Sequence, residues 1–154
     1  MGKTKIYRMI LNVIIIWLFC SCSLQENTIG DIRISSALIE MANVQKIDYE
    51  SLVADVVEKN DTNAMICLYS LCDTHVFDGQ YAYDHGDVLV QLVAQKGEEF
   101  GIMSLKKLNA EEMSDVEGYL NVGLEYGNNK YSGSALKDVF PKMTNFIDSV
   151  TSYK

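Results

Sequence analysis

The chain has 154 residues, 48% hydrophobic and 22% charged, with ten glycines, one proline and a formal net charge of −8. That is enough for one domain with a real core and too little for two. The composition excludes disordered, collagen-like and disulfide-dense classes, and the acidity excludes nucleic acid as a partner, since phosphate binding needs clustered Lys and Arg.

The N-terminus carries Lys3, Lys5 and Arg8 without an acid, then a mostly apolar run from Met9 to Phe19. A spanning helix needs roughly 20 apolar residues, so this run fits the short h-region of a secretory signal. It ends in Phe19-Cys20-Ser21-Cys22-Ser23. This ending resembles the lipobox of bacterial lipoproteins, with small Ser21 before Cys22; Phe19 stands where Leu is usual. The resemblance covers the first 22 or so residues. It implies cleavage after residue 21, acylation of Cys22 and a lipid-anchored place in the cell envelope, at the outer membrane or periplasmic face. Plain secretion and an uncleaved anchor are the alternatives. Removing residues 1–21 would take three of the 13 basic residues and none of the 21 acidic ones, leaving side chains that sum to −11. Such a field favours cationic partners at low salt, and also solubility.

Residues 22–30 read as the lipidated Cys and a polar tether, and residues 31–154 as an all-helical acidic domain. Ile34, Ala37, Leu38 and Met41 form an apolar stripe at helical spacing. Asp48 is placed to cap a second helix through Tyr49, Leu52, Val53, Val56 and Val57. Asp61 or Thr62 can cap a third, Ala64 to Leu71, apolar nearly all round and therefore the expected central helix.

A turn near Asp78-Gly79 precedes a fourth helix through Val88, Leu89, Leu92 and Val93, which stops near Gly97; for residues 88–93 a strand is the alternative. Phe100 to Leu108 is a shorter piece. Asn109 and Glu112 form a capping-box variant ahead of the stripe Met113, Val116, Leu120 and Leu124, which Gly127 can end. Val139 to Val150 gives the last stripe, with Pro141 in its first turn. The fold class is thus all-α, one domain of about six helices, as a bundle. Stacked helical hairpins are the alternative, because Leu52-Val53, Val56 and Lys59 recur as Leu89-Val90, Val93 and Lys96.

Cys67 and Cys72 could form a disulfide in an oxidising envelope, yet on one continuous helix that spacing separates them too far. Two buried thiols are the alternative. Residues 72–87 concentrate both histidines, His75 and His85, with Asp73, Asp78, Asp84 and Asp87 and the tyrosines Tyr81 and Tyr83. No metal-binding spacing appears there, so no metal or cofactor is expected. A solvated connection is the plainer reading, and a protein-binding surface the sharper one. Glu111 and Asp115 on an acidic helix extend that candidate surface.

Two Ser-x-x-Lys matches, at Ser104 and Ser134, lack the companion motifs of penicillin-binding enzymes. No enzyme is therefore expected. The expected role is a membrane-tethered binding protein with a protein partner, a basic one in the sharper reading. In size, charge and address it is similar to immunity lipoproteins, which neutralise toxins aimed at their own envelope. A structural or assembly lipoprotein of an envelope complex is the alternative.

Overall fold

The computed structural model describes residues 26–73 and 76–152, a mostly helical domain with one small hairpin. The leader, Cys22 and His75 lie outside the described residues. Among the described residues, no helix is long and apolar enough to cross a membrane.

The domain begins with an antiparallel hairpin, β1 (Glu26–Ile29) and β2 (Ile32–Ser35), paired from Glu26 with Ser35 to Ile29 with Ile32. Gly30 turns the chain at φ +58°, where an L side chain is strained. β2 buries Ile32 and Ile34 and leaves Arg33 and Ser35 half-buried, the period-two pattern of a one-sided strand. This corrects two expectations: residues 26–29 are strand and not tether, and Ile34 belongs to β2 and not to a helical stripe. The helix starts later because the Ser35 hydroxyl accepts from the Leu38 amide at 3.1 Å, capping α1 (Ser36–Val44).

Asp48 caps α2 (Tyr49–Lys59) through the Ser51 amide, as the sequence implies. Its last carbonyls receive a cation from elsewhere: Lys96 Nζ donates to Val57 O at 2.6 Å and to Asn60 Oδ1 at 2.9 Å. Asp61 caps α3 (Thr62–Asp73) through the Asn63 amide. Then follow α4 (Gly79–Lys96), α5 (Glu98–Leu105), α6 (Ala110–Tyr126), the short α7 (Leu136–Val139) and α8 (Pro141–Thr151). The Asn109/Glu112 capping box of α6 is complete, and Pro141 opens α8.

The central helix is α4 and not α3. Val88, Leu89, Val90, Leu92 and Val93 are all buried and helical, which removes the strand alternative. On α3, by contrast, Ile66 and Leu71 are only half-buried and Cys67 is exposed. The partner of α4 is α6, and their backbones touch. A Cβ on Gly86 would lie 2.2 Å from Tyr119 O, and one on Gly123 would lie 2.2 Å from the Gly86 carbonyl carbon. Only glycine permits that approach.

Gly86→Ala and Gly123→Ala should therefore each cost about 3 kcal/mol or more, the upper end of overpacking penalties. Gly118, exposed on α6 with open space at its Cβ position, is the control. Gly118→Ala should gain up to about 1 kcal/mol from helix propensity. Urea unfolding of the three variants distinguishes these outcomes.

Candidate functional site

The Asp- and Tyr-rich stretch read as a connection is largely helix: Tyr81 to Asp87 form the first half of α4. Helical spacing divides its residues between the core and two outer faces, so they do not make one surface.

His85 faces the core with no exposure, which overturns its assignment to a partner-binding surface. Its Nε2 lies 3.1 Å from Leu68 O, an atom that can only accept, so Nε2 carries the proton. Nδ1 is then the acceptor, and the Tyr49 hydroxyl donates to it at 2.6 Å. The rings of Tyr49, Phe77 and Tyr119 stand around the imidazole with centroids 5.1–5.6 Å away. Burial pushes the His85 pKa down from its ordinary value to about 3, opposed in part by the Leu68 carbonyl. The same burial holds the Tyr49 hydroxyl well above its usual range. Both imidazole nitrogens are spent on holding α4 to α2 and α3.

Cys72 stands 3.7 Å from His85 Nε2, buried, with its thiol pushed up by desolvation and then by Asp115. A thiol so protonated is a poor nucleophile. Cys67 is exposed and the two are unbridged, so neither a disulfide nor a pair of buried thiols describes them. α3 stays helical through both positions, and that keeps them apart. Ser104, of the first Ser-x-x-Lys match, is fully buried with its hydroxyl donating to Phe100 O.

On one outer face Asp84 Oδ2 accepts from the Ser35 hydroxyl at 2.5 Å, tying α4 to the cap of α1. Asp87 is engaged at both oxygens: Asn129 Nδ2 donates to Oδ1 at 2.6 Å and Gln91 Nε2 to Oδ2 at 2.9 Å. Burial raises the Asp87 pKa, and these two amides and the charge of Arg33 resist it. The two aspartates line a small cleft of about 110 Å³ with Glu26, Arg33 and Tyr126. Beside it the exposed rings of Tyr83 and Tyr126 lie against each other at 4.8 Å.

Asp78 and Asp115 belong to a different neighbourhood, where both bear on the Tyr119 phenol. That phenol donates to Phe77 O at 2.7 Å. Tyr81 is half-buried against the core, and Glu111 is exposed in the first turn of α6, where an acid suits the helix dipole. Asp73 closes α3; its side chain lies outside the described residues. Among the described residues no group of three or more His, Cys, Asp or Glu is placed to hold a metal ion.

Sequence reasoning missed Ser35, Arg33, Gln91, Tyr126 and Asn129. One signal was readable: Asp87 and Gln91 stand at i, i+4 on a helix. No protein family, curated protein or solved structure matches this chain.

His85 makes stability pH-dependent. Its folded pKa lies below the unfolded value, so the unfolded chain takes up the proton first. The stability associated with neutral His85 is complete above about pH 6.5 and is lost at up to about 1.4 kcal/mol per unit as pH falls toward 3. His85→Gln should be less stable at pH 7 but lose less on acidification, as urea titrations across that range would report. Two hydroxyls give a second contrast. Tyr49→Phe orphans Nδ1 and should cost about 1–3 kcal/mol. The Tyr69 hydroxyl is buried with no hydrogen-bond partner among the described residues, so Tyr69→Phe should match or exceed wild type in a thermal melt.

Proposed function

We propose that the chain is a membrane-tethered protein of the bacterial envelope that binds a cationic protein, as an immunity or inhibitor lipoprotein neutralising a basic secreted enzyme. The observation that carries this reading is an acidic surface left largely unneutralised. Among the described residues, ion pairs engage only Asp55, with Lys59, and Glu99, with Lys142. The fully buried polar side chains there are His85 and Ser104; no described carboxylate is fully buried, and many, Glu111 among them, are exposed. Unpaired surface charge of one sign steers an oppositely charged partner and suppresses others. Glu111 and Asp115 on α6, with Asp78 nearby in the electrostatics of Tyr119, are the proposed contact acids. The Cys22 lipid would hold this surface at the membrane.

A second reading, a structural or assembly lipoprotein, draws on the exposed Tyr83–Tyr126 pair, since tyrosine is enriched at interfaces.

Affinity capture with the full chain, from envelope and secreted fractions at low and high salt, tests the two. The first expects one basic secreted enzyme, released by salt and weakened about tenfold or more by Glu111→Gln with Asp115→Asn. Resident envelope proteins held regardless of salt, and lost in Tyr83→Ala with Tyr126→Ala, would overturn it in favour of the second. Cys22→Ala should abolish acylation, read by mass spectrometry of the N-terminus.

A further inference from the structure

A groove of about 310 Å³ runs between the start of β2, the C-terminal half of α4 and the loop after α6. It shares Arg33 with the smaller acidic cleft and adds a second cation and an aromatic ring. Arg33, Lys130 and Asp31 line it, with the Tyr131 ring as an apolar wall.

Arg33 is held by its main chain. Gln91 accepts from the Arg33 amide at 2.9 Å and donates to its carbonyl at 3.1 Å, as a neighbouring strand would. The side chain is half-buried, yet the guanidinium makes no hydrogen bond or ion pair with any described residue. Arg33 also borders the smaller cleft of Glu26, Asp84 and Asp87; there Glu26 is exposed, Asp84 is bonded to Ser35, and Asp87, which feels the Arg33 charge, has both oxygens taken by Asn129 and Gln91. The guanidinium fork of this half-buried residue is thus left open, and its five donors match the two oxygens of a carboxylate. Lys130 adds a second cation, 4.9 Å from the centroid of the Tyr131 ring. Asp31, exposed at the hairpin turn, supplies the opposite charge on the same groove.

Two cations, one carboxylate and an aromatic wall suit a molecule carrying both charges. The volume is at the low end for small-ligand sites, about 300–1,000 Å³. We propose that this groove binds a small zwitterion, a free amino acid or dipeptide, its carboxylate held by Arg33 and Lys130 and its ammonium set against Asp31. The site is independent of the surface acids invoked above for a protein partner.

The test is an NMR titration of the full ¹⁵N-labelled chain with alanine, alanyl-alanine, N-acetyl-alanyl-alanine and alanyl-alanine amide. Saturable shifts at the Arg33 side chain and the Tyr131 amide are expected with the first two. Blocking either terminus should weaken binding about tenfold or more, as expected for loss of a charge-assisted contact. Arg33→Gln should weaken it similarly while the spectrum away from the groove persists, because Gln91 holds the backbone and not the side chain. Lys130→Gln, on an exposed loop position, provides the same readout if Arg33→Gln does not fold. No saturable shift at millimolar ligand, or equal binding of the amide, would overturn the proposal. So would equal binding of the acetylated form, which would assign the groove to peptide C-termini instead.

Discussion

The contact between the backbones of α4 and α6 at Gly86 and Gly123 sets the arrangement on which the rest of the domain depends. With no side chain between them, the residues flanking the crossing are committed. His85, one position earlier, faces the core with Tyr119 of α6 against its ring. Asp87, one position later, reaches the loop after α6 through Asn129, whose Nδ2 also donates to Gly123 O. Gln91, one turn further along α4, takes the main chain of β2. One close approach therefore fixes a buried polar centre on one side and, on the other, the position of the hairpin and of the loop.

That buried centre is held by saturation and not by charge. An imidazole away from water is tolerable when both nitrogens have partners, and the Leu68 carbonyl and the Tyr49 hydroxyl supply one each. The cost of charging it in that place depresses its pKa and keeps it neutral. Cys72 and Tyr119 share this environment, where desolvation raises their pKa values and keeps them protonated rather than activating them. Groups that look chemically capable in the sequence thus act as cross-braces among α2, α3, α4 and α6.

Most helices were legible because their signals are local. The Asp48 cap, the Asn109/Glu112 box and Pro141 each act within one turn, and the structure places all three as expected. The hairpin was not legible because Ile34 fits a helical stripe and a strand face equally well; Ile32 and the Gly30 turn decide between them only once the pairing exists. The stretch from Asp78 to Asp87 reads as a connection for a related reason. Aspartates and tyrosines suggested a loop by composition, whereas Tyr81 to Asp87 are helical, and helical geometry sends His85 into the core while Asp84 and Asp87, three apart, share an outer face. No local pattern announces that Arg33 and Gln91, 58 residues apart, will meet.

The distribution of charge follows from the same packing. Lys96 is drawn to the end of α2 and two lysines join surface pairs, and with 13 basic residues against 21 acidic ones the remaining cations cannot balance the acids. Arg33 is different because Gln91, the amide that anchors its strand, and Asn129 together occupy the Asp87 carboxylate that feels its charge. Had Asp87 been free, a bidentate Arg33–Asp87 pair would be the expected outcome of placing them on adjoining elements. By diverting Asp87 to Asn129 and Gln91, the fold holds the hairpin and the loop in place and leaves a guanidinium unmatched. On this acidic domain, that unpaired cation, with Lys130 and Asp31, gives one groove a mixed-charge recognition chemistry.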